Sequence, residues 1–179
     1  MTINIIDNYF NKETQDQIEK KLSTNDFPWY YIPETVLGDI NKKVKPKLET
    51  TRFNHAFKHF LYNEEGVNSG YYDYFNRLFK FNKLIRLKIN LLTRVPNYNR
   101  DCHNQPHVDV PNVKNIIRIY YVNNSDGDTF FFDKKYNVIK KVSPKKGRLI
   151  EFNGNIIHAG STPIKNERRI VININEFKK

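Results

Sequence analysis

From residue 83 onward the chain is a succession of short apolar runs broken by turn chemistry, and nothing else in it restricts the fold as strongly. Ile85, Leu87, Ile89 and Leu91 alternate with Arg86, Lys88 and Asn90, the period-two pattern of a half-buried strand. Further strand candidates occupy residues 115–122, 128–133, 136–141, 148–152, 156–158 and 168–174. Turn signals separate several of them: Asn123-Asn124-Ser125-Asp126-Gly127, Lys145-Lys146-Gly147, Asn153-Gly154 and Thr162-Pro163. Many short strands at this spacing predict a sandwich or jelly roll.

The first 82 residues read differently. Residues 2–6 make a short β-branched run, and Ile18 and Leu22 lie four apart in a polar segment that Asn11 can cap. Phe53, Phe57 and Phe60-Leu61 form one apolar stripe of helical period; Tyr72, Phe75, Leu78 and Phe79 form another. The expectation is one domain over residues 1–179: helical support in 1–82 packed on a β-core in 83–179, hence α+β but mainly β. A chain of 179 residues buries such a core without staples, with 13 Phe and 11 Tyr carrying much of the packing. Cys102 is the single cysteine, so no intramolecular disulfide forms, and no signal peptide or membrane-length apolar run is visible. The cytoplasm is the expected compartment, with no membrane partner.

Within the β-region, His107-Val108-Asp109 places an imidazole and a carboxylate on one face of an extended segment, with Val108 turned aside. His158 follows shortly after the run Arg148-Leu149-Ile150-Glu151-Phe152, far enough along for intervening strands to cross the sandwich and return. Two imidazoles and one carboxylate make the ligand face that binds ferrous iron and leaves the opposite positions open. A dicarboxylate co-substrate such as 2-oxoglutarate then needs a cation for its far end, because a buried unpaired charge is costly. Arginine's planar fork suits a carboxylate better than lysine's point charge. In Arg168-Arg169-Ile170-Val171-Ile172-Asn173-Ile174, period two puts Arg168 with three isoleucines, which marks it as the inward arginine; a one-residue slip makes Arg169 the alternative.

The ordered set His107-Val108-Asp109, Ile119-Tyr120-Tyr121-Val122-Asn123, Gly127-Asp128-Thr129-Phe130, Gly147-Arg148-Leu149-Ile150-Glu151-Phe152, His158-Ala159-Gly160 and Glu167-Arg168 resembles the prolyl-4-hydroxylase-like branch of the 2-oxoglutarate/Fe(II) dioxygenases over about residues 84–175. Phe27-Pro28-Trp29-Tyr30-Tyr31 is similar, more loosely, to small oxygenases of phage and bacterial genomes. The resemblance implies a double-stranded β-helix (jelly-roll) core behind N-terminal helices. It implies iron on His107, Asp109 and His158, with the 2-oxoglutarate tail on Arg168 and reached by the Tyr121 hydroxyl, and with Ile119 and Phe130 walling that pocket. The implied reaction consumes O2 and 2-oxoglutarate, hydroxylates a peptidyl (prolyl first) or small-molecule substrate, and releases succinate and CO2. Ascorbate is a candidate accessory reductant. Two departures bear on the substrate face: the usual Gly-Gly is Gly127-Asp128, and Asn104 stands where some relatives have tyrosine.

Other features compete for function. His103 lacks an acidic residue two places on and reads as a loop residue beside the site; His55 and His59 read as a solvated helix face rather than a metal pair. Trp29, Tyr30 and Tyr31 suit N-terminal packing as well as a substrate lid, and Asp126-Gly127-Asp128 suits a hairpin turn better than calcium. Residues 33–45 and 97–106 are loop-like candidates for a lid. The net charge of +11 invites a nucleic-acid substrate, as for an oxidative demethylase. The basic residues are scattered, however, and 24 Asn among many Lys and Ile suit an A+T-rich genome such as a phage's, which would place the protein in a host cytoplasm. The third reading is a non-catalytic metal-binding jelly-roll module.

Overall fold

The computed structural model describes residues 2–33, 55–95 and 101–178. Phe53, most of the first candidate lid and residues 97–100 of the second lie outside them. The chain folds as β1 (Ile3–Ile6), α1 (Lys12–Leu22), β2 (Tyr30–Ile32), β3 (Ala56–Asn63), β4 (Gly66–Val67), α2 (Tyr72–Phe79), β5 (Leu84–Thr93), β6 (Asn115–Tyr121), β7 (Thr129–Phe132), β8 (Val138–Val142), β9 (Leu149–Asn153), β10 (Ile157–Gly160) and β11 (Arg168–Phe177). The described residues are mainly β, with two antiparallel sheets and two helices among them, an arrangement consistent with a β-sandwich.

The larger sheet runs β1-β9-β6-β11-β5-β3-β2, with β4 paired to β3; the smaller runs β10-β7-β8. β11 is the pivot, bonded to β6 on one side and β5 on the other. Its residues from Arg169 to Asn175 are all buried because both faces are covered. Ile170, Ile172 and Ile174 join Leu87, Ile89 and Tyr120 against Ile18 and Leu22 of α1 and Phe75 and Phe79 of α2. On the opposite face Val171 packs with Ile117, Ile119, Tyr121, Ile150 and Phe152, and with Phe131 and Val142 of the smaller sheet.

The helices form where their ends are chemically marked. Asn11 accepts a hydrogen bond from the Thr14 amide at 2.9 Å, Glu13 lies in the first turn of α1 and Lys20 and Lys21 in the last, all favourable to the helix dipole. α2 stops at Lys80, which takes a left-handed conformation at φ 50°.

The stripe Phe57, Phe60-Leu61 is not helical. It belongs to β3, where the pairing with β5 shifts register between Phe60 and Tyr62. A bulge moves later side chains to the other face, so a strand with aromatics on both faces imitates a spacing of three to four. The region 1–82 is therefore more than helical support, since β1, β2 and β3 extend the larger sheet. His59 is accordingly no helix-face ligand: it is buried, bonded to the Pro28 carbonyl at 2.7 Å and the Ser69 hydroxyl at 2.8 Å. Among the described residues, no helix is long and apolar enough to cross a membrane.

Candidate metal centre and co-substrate pocket

His107 and His158 face each other directly. Each donates its amide to the other's carbonyl at 3.0 Å, an isolated antiparallel bridge at the edge of the smaller sheet. This exchange sets the two imidazoles side by side, ring centroids 4.8 Å apart. His107 Nδ1 donates to the Gln105 carbonyl at 2.9 Å and His158 Nδ1 to the Ile156 carbonyl at 3.0 Å. A carbonyl only accepts, so Nδ1 carries a proton in each ring, and in the neutral tautomer this leaves Nε2 with its lone pair.

Both lone pairs point toward Asp109, at 3.7 Å from Oδ1 for His107 and 3.8 Å from Oδ2 for His158. The donor atoms of the three residues lie within 4.8 Å of one another. Burial pushes the Asp109 carboxyl up, but the Lys88 ammonium and the Arg86 guanidinium outweigh it and hold it well below the ordinary value. Burial, and then the neighbouring His107, lower His158 to about 4. At neutral pH the cluster is thus one carboxylate and neutral His158 beside His107, the protonation pattern a divalent metal requires.

The larger sheet fixes Asp109 from below. Register places Asn173 opposite Lys88 and Asn175 opposite Arg86, a block of four polar side chains on β11 and β5. Asn173 Nδ2 donates to Asp109 Oδ2 at 2.9 Å and Asn175 Nδ2 at 3.2 Å, while Arg86 approaches Oδ1 at 2.7 Å and Lys88 at 3.4 Å. Sequence reasoning missed all four, because the polar positions of a strand with one apolar row read as solvent-facing. The sign available was their alternation within strands that both lie inside a sheet.

Beside the cluster lies a cavity lined by Ile119, Thr129, Gly160, Arg169, Val171 and Leu92, among others. Arg169, not Arg168, faces it. Arg169 is 5 % exposed and donates through Nη2 to Thr129 Oγ1 at 2.9 Å. Thr129 Oγ1 also shares a hydrogen bond with the Tyr121 hydroxyl at 2.7 Å, and the guanidinium lies 5.8 Å from the Tyr121 ring centre. Gly160 makes room for it, since a Cβ there would lie 3.2 Å from Arg169 Nη1. Arg168 is half-buried on the other face and does not line the cavity; its carbonyl accepts from Asn123 Nδ2. The isoleucine row does face a core, but that core lies under the helices.

Ile119 lines the cavity as expected from its place on β6, and Tyr121 stands behind Thr129. Phe130 points away, packed with Phe132, Ala159 and the ring of His103, and the inward residues of β7 are Thr129 and Phe131. His103 is buried there, outside the donor cluster. Arg169 Nε, Asn90 Oδ1, Asn104 Oδ1 and Asn173 Oδ1 are buried without a hydrogen-bond partner among the described residues, and all four residues line the cavity. Buried orphans at such density mark a site built to receive a polar ligand.

Comparison with solved structures shows the fold of 2-oxoglutarate/Fe(II) oxygenases and prolyl hydroxylases. An oxidoreductase of the 2OG-Fe(II) oxygenase family from Burkholderia pseudomallei superposes with a TM-score of 0.65 at 13% identity, covering 97% of this chain and 84% of its own. A Trichoplax adhaerens prolyl hydroxylase, solved with a hypoxia inducible factor oxygen degradation domain peptide, gives 0.61 at 14% identity over 98% and 83%. The viral collagen prolyl hydroxylase of Paramecium Bursaria Chlorella virus-1, in its 2OG complex, gives 0.55 at 14% over 99% and 97%. No protein-family model and no curated protein matches the chain.

Proposed function

We propose that this protein is an Fe(II)- and 2-oxoglutarate-dependent oxygenase on a double-stranded β-helix core, hydroxylating a peptidyl or small-molecule substrate. The observation that carries the reading is the convergence of His107, Asp109 and His158 beside a cavity that ends at buried Arg169. The donor set fits iron: two bare imidazole nitrogens and one ionised carboxylate. Held there, iron would supply the oxygen activation that couples decarboxylation of 2-oxoglutarate, to succinate and CO2, with hydroxylation of a C–H bond.

The chain's own residues do the positioning. Arg169 offers a buried guanidinium to the remote carboxylate, with Thr129 holding its fork and Tyr121 bracing Thr129. Ile119, Val171 and Leu92 give the cavity apolar walls that keep bulk water from the chelated end. Asn173 and Asn175 fix the Asp109 plane, and the Gln105 and Ile156 carbonyls fix both histidine tautomers. The neighbours named as prolyl hydroxylases make a peptidyl proline the first substrate to try.

The test is anaerobic titration of the purified protein with Fe(II) and 2-oxoglutarate, then oxygen and a succinate assay. Wild type is expected to bind both and form succinate; His158→Ala should lose iron, and Arg169→Ala should lose 2-oxoglutarate affinity. Binding of neither by wild type overturns the reading in favour of a non-catalytic module.

A further inference from the structure

The oxygenase reading accounts for the cations and the ligands of the cavity and leaves its asparagines unexplained. The side-chain oxygens of Asn90, Asn104 and Asn173 are buried without a hydrogen-bond partner among the described residues, and all three residues line the cavity. Asn104 is 6 % exposed and Asn173 5 %. They come from both walls. Asn90 stands on β5 between Lys88 and Leu92 and pairs with Val171 of β11, all of them cavity residues of the larger sheet. Asn104 is tied to the smaller sheet, its backbone amide donating to the Gly160 carbonyl at 2.8 Å. Asn173 shows which way such an amide is turned: its Nδ2 donates to the ionised Asp109, so its Oδ1 is an acceptor.

The co-substrate cannot satisfy these oxygens. A 2-oxoglutarate dianion carries two carboxylates and a keto oxygen, all acceptors, and not one donor. It suits the fourth orphan of the cavity, the Arg169 Nε donor, and none of the asparagine oxygens. A metal on His107, Asp109 and His158 brings no N–H or O–H of its own either. Acceptors left unpaired in a closed site are costly, and a site built around them rejects a ligand that lacks the matching donor. The donors therefore fall to the remaining ligand, the substrate.

Resting on the oxygenase reading, we propose that the substrate presents a primary carboxamide to this cavity, its N–H groups received by the side-chain oxygens of Asn104 and Asn90. A carboxamide nitrogen carries two N–H donors, a hydroxyl one, and a prolyl ring in a peptide none. An ammonium also donates, but it would share the cavity with the ammonium of Lys88. Asn104 and Asn90 are thus specificity-determining residues, which hold the group by its donors while the iron works on a neighbouring C–H bond. The reaction balances without a further reductant: one atom of O2 enters the substrate C–H bond, the other enters succinate, and CO2 leaves 2-oxoglutarate.

The test uses the full chain loaded anaerobically with Fe(II) and 2-oxoglutarate. Probe binding is read from the visible charge-transfer band of the chelate, then, after oxygen, from succinate and a mass gain of one oxygen atom in the probe. The peptide probes are Gly-Ala-Asn-Ala-Gly and Gly-Ala-Gln-Ala-Gly, blocked as acetyl and dimethylamide, each beside an isostere whose side-chain NH2 is replaced by CH3. Pro and Lys counterparts accompany them, and butyramide with methyl propyl ketone makes the same comparison without a peptide. The better carboxamide should bind about tenfold or more tightly than its methyl ketone, a comparison that needs no variant. In Asn104→Leu and Asn90→Leu the preference should fall toward unity through loss of carboxamide affinity, with the ketone's affinity held. Whether butyramide or a peptide shows the larger preference tells a small amide from a side chain. Equal or better binding of the ketone, Pro or Lys probes, or carboxamide and ketone weakening together in both variants, overturns the inference alone. Failure of Fe(II) and 2-oxoglutarate to bind brings down the oxygenase reading first and this inference with it.

Discussion

Thr129 Oγ1 holds the guanidinium of Arg169 on one side and the hydroxyl of Tyr121 on the other, so the three residues form one hydrogen-bonded unit, the proposed receptor for the remote carboxylate. Replacing Arg169 with Met removes the charge and is expected to weaken 2-oxoglutarate binding by about 10- to 100-fold, as loss of a charge-assisted hydrogen bond does. Arg168→Met should change it by less than about threefold; calorimetry on both variants checks this, and the reverse ranking would return the role to Arg168. Asn173 acts one layer out: Asn173→Ala strips a 2.9 Å bond from Asp109 and should lower Fe(II) affinity about 10- to 100-fold with the ligands intact. At this scale the clustering of His107, Asp109 and His158 was legible, because His-x-Asp and a second His are chemically unusual together. The arginine that faces the cavity is Arg169 rather than the expected Arg168, because the isoleucine row faces the core under the helices and not the His-Asp-His cluster. With both faces of β11 buried, apolar neighbours cannot tell a sequence which core is which.

One carboxylate ties together two loops, the one between β6 and β7 and the one between β10 and β11. Asp126 accepts from the amides of Ile164, Lys165 and Asn166 at 3.2, 2.9 and 3.2 Å. Beside it, a Cβ on Gly127 would lie 2.4 Å from the Ser161 carbonyl oxygen. Asp126→Ala is expected to destabilise the fold by about 1–3 kcal/mol at neutral pH. Burial raises the Asp126 carboxyl, but the amides prevail and hold it below its ordinary value. Its stabilisation is therefore present above the unfolded-state pKa near 3.8 and lost as pH falls through the lower folded value. Thermal melts across that acid window should show a shallower loss in Asp126→Asn than in wild type; identical slopes would remove the claim. The elements themselves were readable where local chemistry marked them, as at Asn11 and along the strands after residue 83. β3 was not, because its bulge and two-sided aromatics write a helical spacing into a strand.

At the scale of the whole molecule, the described residues form three layers, helices over a large sheet over a small one, and the middle layer turns one apolar face to the helices and a mixed face to the His-Asp-His cluster. Ile172, fully buried at the centre of that layer, packs under the helices rather than in the site. Ile172→Ala should cost about 2–5 kcal/mol in urea unfolding without selectively changing 2-oxoglutarate affinity in the folded fraction. A selective loss of affinity at unchanged stability would contradict the layer assignment. One property of the middle layer reaches beyond the finished molecule. β11 follows every other strand in sequence yet lies between β6 and β5. While a ribosome is still short of residue 168, the flanks of β5 and β6 that β11 will join have no partner, and the two halves of the larger sheet have nothing to join them. Assembly must then wait for translation to pass residue 177, and nascent chains will spend that interval with open strand edges, the state in which copies stick to one another. Fewer chains in synthesis at one time, or a holdase at hand, should raise the yield of soluble protein more than any added surface charge.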